Sequence, residues 1–107
     1  MLFSTGSTVI HPQAKIVLDD IIEVIKANPQ SQYIIEGHTD NTGGELLNDK
    51  LSYSRAHAVM NYLIESGIER SRLSIRGFGA QKPVNRNRTE EEREKNRRVE
   101  IYMLKVK

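Results

Sequence analysis

Apolar positions recur along the chain in two alternating rhythms. From Pro12 onward Ala14, Val17, Leu18, Ile21 and Ile25 fall three or four residues apart, the spacing of one face of an amphipathic helix. Proline suits the first turn of that helix, where its missing N–H is not needed, and the stretch Asn28 to Gln30 stops it. Tyr33, Ile34 and Ile35 then open a strand that ends near Gly37 to Thr39. A second helix is expected from about Asn48 to Ser66, carried by Leu51, Ala56, Val59, Met60 and Leu63 and closed by Gly67. "RLSIRGFG", Arg72 to Gly79, reads as another strand, with Leu73 and Ile75 alternating against polar neighbours. A polar stretch follows, with a short helix expected over "TEEEREK". The closing "RRVEIYMLKV" alternates with period two: Val99, Ile101 and Met103 on one face, Arg98, Glu100 and Tyr102 on the other.

With "LFSTGS", Leu2 to Ser7, read as a short strand running into a turn where Gly6 and the hydroxyl residues break it, the order becomes β-α-β-α-β-(α)-β. A strand with one polar face does not suit a sheet covered on both sides. The expectation is therefore an α+β two-layer sandwich, with helices packed on one face of a small mixed sheet. A length of 107 residues allows one core, so residues 1–107 are read as a single domain.

Composition narrows the function classes. Charged residues make up 28% of the chain and the formal net charge is +2, a weak basis for nucleic-acid binding. The late arginines and lysines are interleaved with glutamates, a mixed-sign surface. The absence of cysteine excludes disulfides and thiolate metal sites. No apolar run approaches the roughly 20 residues needed to cross a bilayer, so no membrane insertion is expected. "MLFSTGSTVI" lacks the pattern of a signal peptide, which leaves either a cytosolic protein or a domain of a longer exported chain.

The chemistry concentrates in "IIEGHTDNTGG", Ile34 to Gly44. His38 and Asp40 sit two apart near a strand end and so point to one side. A catalytic reading needs a nucleophile within reach; Ser52 and Ser54 exist, but no nucleophile elbow does. A metal reading needs more ligands than the scattered His11 and His57 supply. Asp40 could also do no more than cap a turn through backbone N–H groups.

Arg55 adds a second charge. With Leu51 set at 0° on an ideal helix, Arg55 falls at about 40°, Val59 at about 80° and Leu63 at about 120°. The guanidinium thus lies inside the apolar arc, where it needs an acceptor, unless it snorkels to solvent or bridges to Asp40. Arg97, by alternation, shares a face with Val99 and Ile101. Two arginines and an aspartate at a glycine turn suit a ligand with both signs, since arginine grips carboxylate and aspartate accepts from ammonium. Exposed arginines or a structural ion pair remain alternatives.

Four segments, in order, carry a resemblance: the G-H-T-D-x-x-G turn, L-S-x-x-R-A at the long helix, G-x-G-x-x-x-P after it, and N-R-R-V-E-I near the end. Together they make the chain, from about Phe3 to Met103, similar to the OmpA-like peptidoglycan-binding domain, which also occurs in peptidoglycan-associated lipoproteins and flagellar stator B proteins. The resemblance implies non-covalent binding of the diaminopimelate in the peptide stem of peptidoglycan, without catalysis and without a cofactor. It assigns ligand contacts to Asp40, Asn48, Arg55 and Arg97, with Thr42 as an added polar contact and His38 supporting the turn. It implies a periplasmic domain of an outer-membrane or envelope-anchored protein, excised from a longer chain with Met1 as an artefact. Because stator-type relatives dimerise, a homodimer is one arrangement open to it. The alternative is a periplasmic protein-interaction module whose ligand pocket is vestigial. Where the family often carries asparagine or aspartate this chain has Gly6, which leaves only backbone N–H there. The loop before N-R-R-V is also short.

Overall fold

The computed structural model describes Phe3 and residues 6–104. Helix α1 (Pro12–Ala27), strand β1 (Gln32–Gly37), helix α2 (Glu45–Glu65), a 3-10 turn (Arg70–Arg72), strand β2 (Leu73–Gly77), helix α3 (Glu90–Asn96) and strand β3 (Val99–Leu104) follow in order. The described strands form one mixed sheet in the order β2-β1-β3. β1 runs parallel to β2, Ile35 opposite Ile75, and antiparallel to β3, Ile35 opposite Ile101. Of the opening stretch Leu2–Ser7, half (Leu2, Ser4 and Thr5) lies outside the described residues; Phe3 belongs to no strand, and the expected turn is present at Gly6, at φ +69°.

Side-chain alternation on β1 decides where the core lies. Tyr33 and Ile35 are buried beside Leu73, while Ile34 and Glu36 face the other way and stay partly open. α1 contributes Ala14, Leu18, Ile22 and Ile25 to that core, and α2 contributes Ala56, Val59, Met60 and Leu63. This is the helices-on-one-face sandwich expected from the pattern. Two apolar assignments change. Val17 falls at the rim of the α1 stripe and is exposed, with Ile22 buried instead. Met103 is also exposed, because β3 is an edge strand; its sulfur accepts from the Tyr33 hydroxyl at 3.8 Å.

Helix ends follow local chemistry. α2 begins three residues before the expected Asn48, with Gly44 as its cap and the Asn48 N–H already bonded to the Gly44 carbonyl. It ends in a Schellman motif: Gly67, at φ +102°, bonds to Ile64 and Ile68 bonds to Leu63. α3 opens with a capping box between Thr89 and Glu92. The chain leaving α1 is clamped by Arg72, whose guanidinium donates to the carbonyls of Ile25, Asn28 and Ser31.

Two glycines set the distance between α2 and the sheet. Gly37 and Gly77 face each other across β1 and β2. A Cβ on Gly37 would land on the Ser52 carbonyl, and one on Gly77 would lie 2.6 Å from the Tyr53 nitrogen. Only bare backbone lets α2 approach this closely. The result is that Asn48, Ser52 and Arg55 are held directly over the end of β1, where the H-T-D turn begins.

Candidate functional site

Ser52 locks the helix to the loops around it. Its hydroxyl donates to the Asp49 carbonyl at 2.9 Å and accepts from the Gly79 N–H at 2.8 Å. Gly79 in turn accepts from the Thr39 N–H at 2.9 Å. The serine of L-S-x-x-R-A, the second glycine of G-x-G and the threonine of H-T-D are thus one hydrogen-bonded unit. Ser52 is fully buried, with its hydroxyl both donating and accepting.

Asp40 is buried, and both of its oxygens are used. Oδ1 accepts from the Thr42 N–H and Oδ2 from Arg97 Nη1, each at 2.8 Å. Burial by itself would raise the carboxyl, but the hydrogen bonds from Arg97 and Thr42 outweigh it and hold it below the usual aspartate value. Asp40 thus caps the turn and is ion-paired with Arg97 at the same time. Arg97 also donates through Nη2 to Glu90 Oε1 at 2.6 Å. Burial opposes its charge, but the two carboxylates raise its pKa above the ordinary arginine value.

Arg55 is fully buried inside the helix arc and does not snorkel. Its Nε donates to the Ser7 carbonyl at 3.0 Å and its Nη1 to the His38 carbonyl at 3.3 Å. The guanidinium carbon stands 5.2 Å from the Phe3 ring centre, a cation–π contact. Desolvation pushes its pKa down to about 10, with Asp40 opposing and Arg97 reinforcing, so it stays charged at neutral pH.

These side chains surround a cavity of about 140 Å³ lined by Thr39, Asp40, Thr42, Asn48, Arg55 and Arg97, with Gly6, Gly43, Leu47 and Leu51 completing the wall. All five residues singled out from the sequence are brought together here. Asn48 is 5% exposed, and its amide makes no hydrogen bond among the described residues. Pattern reasoning missed three participants. Glu90 is reached only because α3 returns its first residue to Arg97, and Phe3 and Ser7 only because the N-terminal segment crosses over α2. No periodicity in the sequence signals any of them.

His38 supports the turn through its backbone and sits apart from the cavity through its side chain. Its N–H donates to the Arg98 carbonyl at 2.9 Å, while its ring stacks on Phe78 with centroids 5.6 Å apart. Among the described residues no group of three His, Cys, Asp or Glu side chains could hold a metal ion, and no helix is long and apolar enough to cross a membrane.

A family model for the OmpA family matches residues 2–97. The chain belongs to the OmpA family. Outer membrane protein Omp38 of Acinetobacter baumannii is 40% identical over 100 residues, 92% of this chain and 28% of that protein. Peptidoglycan-binding protein ArfA of Mycobacterium bovis is 37% identical over 101 residues, 94% of this chain and 31% of that one. The crystal structure of the peptidoglycan-associated lipoprotein from Burkholderia pseudomallei superposes with a TM-score of 0.92 at 27% identity, covering 96% of this chain and 87% of that one. The OmpA-family segment thus spans less than a third of the length of Omp38 or ArfA.

Proposed function

We propose that this chain is a non-covalent peptidoglycan-binding module that takes the charged end of diaminopimelate in a peptide stem and so ties a periplasmic, envelope-anchored protein to the cell wall. The observation that carries this reading is the charge balance around the cavity. Arg55 and Arg97 supply two positive charges, Asp40 and its neighbour Glu90 two negative ones. A ligand of one sign would unbalance that set, whereas an amino-acid head bearing ammonium and carboxylate leaves it neutral. In this reading the carboxylate lies toward Arg55, the ammonium toward Asp40, and the Asn48 amide fills a remaining position, with Thr42 at the rim. The similar proteins ArfA, a peptidoglycan-binding protein, and the peptidoglycan-associated lipoprotein support the same ligand class. We read the module as binding without catalysis, a reading supported by the two hydrogen bonds that engage the Ser52 hydroxyl.

Co-sedimentation with purified sacculi tests the proposal. Asn48→Ala and Arg55→Lys should weaken binding while circular dichroism stays native; each loses hydrogen bonds to a charged ligand group, about 1.5–3 kcal/mol, at least about 10-fold in affinity. Free meso-diaminopimelate should raise the unfolding temperature saturably. Unchanged sedimentation of both variants, with no stabilisation by the amino acid, would leave the pocket vestigial and favour a protein-interaction module.

A further inference from the structure

On the open face of the sheet, away from the clamp, lies a larger hollow of about 470 Å³ lined by Ile34, Glu36, His38, Lys82, Arg98 and Tyr102 among others. Its floor holds a residue that the clamp does not use. The His38 ring is 1% exposed, and neither ring nitrogen makes a hydrogen bond. Nε2 nevertheless lies 3.3 Å from Glu100 Oε2 and 3.5 Å from Glu36 Oε1. The same Glu100 oxygen already accepts from Arg98 Nε at 2.8 Å, and the other accepts from the Tyr102 hydroxyl at 2.6 Å. Among the described residues Glu36 has no ion-pair partner except His38.

We propose that His38 is a positioning residue through which protonation on the open face of the sheet weakens the ligand clamp on the other side. This rests on the binding reading above. A charged ring becomes a donor with two carboxylates in reach, and Arg98 already occupies one of them, so Glu36 is the partner that draws it. Turning toward Glu36 disturbs the stack on Phe78, a ring that also holds the Lys82 ammonium 3.8 Å from its centroid. The backbone of His38 is where that motion meets the clamp. Its carbonyl accepts from Arg55 at 3.3 Å, a long bond that a small shift breaks, and its N–H holds the chain beside Arg97. The charged groups facing the ring are Glu36 from β1, Arg98 and Glu100 at the start of β3, and Lys82 from the loop after β2, with Arg55 behind its carbonyl. Burial, helped by Arg98, keeps the ring neutral at pH 7, while Glu100 and Glu36 pull toward charge.

Two measurements test it. In ligand-free protein, NMR should show the His38 ring carbon and the Arg55 Nε–H titrating together, and Glu36→Gln should move both midpoints to lower pH because it removes an attraction for the charged ring. Stabilisation by meso-diaminopimelate should weaken several-fold between pH 7.5 and 5.5 in the parent and stay level in His38→Gln. Should Arg55 ignore the His38 titration, or should Glu36→Gln and His38→Gln keep the parent's pH profile, the inference is overturned. If diaminopimelate has no effect even at pH 7.5, the binding reading fails, and the paired NMR titration still decides the coupling.

Discussion

Asp40→Asn removes one charge at nearly constant shape, so it isolates what the Asp40–Arg97 pair contributes to the fold. Asparagine Oδ1 can still accept from the Thr42 N–H, which keeps the turn. The other position then faces Arg97 Nη1 with an amide in place of a carboxylate oxygen that sits 2.8 Å away. Breaking a buried pair by removing one partner costs about 3–5 kcal/mol, mostly from the stranded charge. Arg97 keeps Glu90 at 2.6 Å, so the lower end applies, about 3 kcal/mol. Against a typical stability of about 5–15 kcal/mol the variant still folds, with a melting temperature lower by about 12 °C or more. Urea unfolding reads the difference directly. The pH dependence has a definite sign. Because the folded-state pKa of Asp40 is depressed, its contribution is complete above the ordinary value of 3.8 and is lost as pH falls through the lower folded value. The gap between parent and variant should therefore be level from pH 7 down to about pH 4 and close only below that. A loss under about 1 kcal/mol at pH 7, the range of solvent-exposed pairs, would refute the reasoning by showing that water screens this contact.

Gly37→Ala should be more damaging than its one carbon suggests, because the new methyl meets the Ser52 carbonyl, which cannot rotate away; a loss of about 3 kcal/mol or outright failure to fold is expected, measured by urea midpoint. Arg72→Met removes the charged donor shared by the carbonyls of Ile25, Asn28 and Ser31, of which the first two keep a backbone N–H partner, and should cost about 1.5–3 kcal/mol, with faster amide exchange concentrated at the end of α1. Thr89→Ala removes the cap of α3 for about 1 kcal/mol, and since that helix presents Glu90 to Arg97, sacculus binding should weaken along with the local exchange protection.

Helix and strand types were legible because each element carries its own periodicity. The apolar faces of α2, β1 and β2, the stop at Gly67 and the helix over "TEEEREK" all follow from spacing and caps within a few residues. So did the anomaly of Arg55, since a charge inside an apolar arc is a local fact. Pattern erred at edges: Val17 and Met103 satisfy the right period, but exposure depends on what stands opposite, and both remain more than half exposed.

The sequence by itself determined which residues would need partners. Asp40, Arg55 and Arg97 could be named as groups that a fold must satisfy, because the charge on each follows from its chemistry and its face from the local repeat. Which partner each one takes was decided only in three dimensions. Arg97 pairs with Asp40 across 57 positions, and Arg55 reaches a carbonyl 48 positions away. Those choices depend on how closely α2 can approach β1 and on where α3 places Glu90 and the chain places Ser7. Such distances are set by packing between elements, and no repeat within one element encodes them.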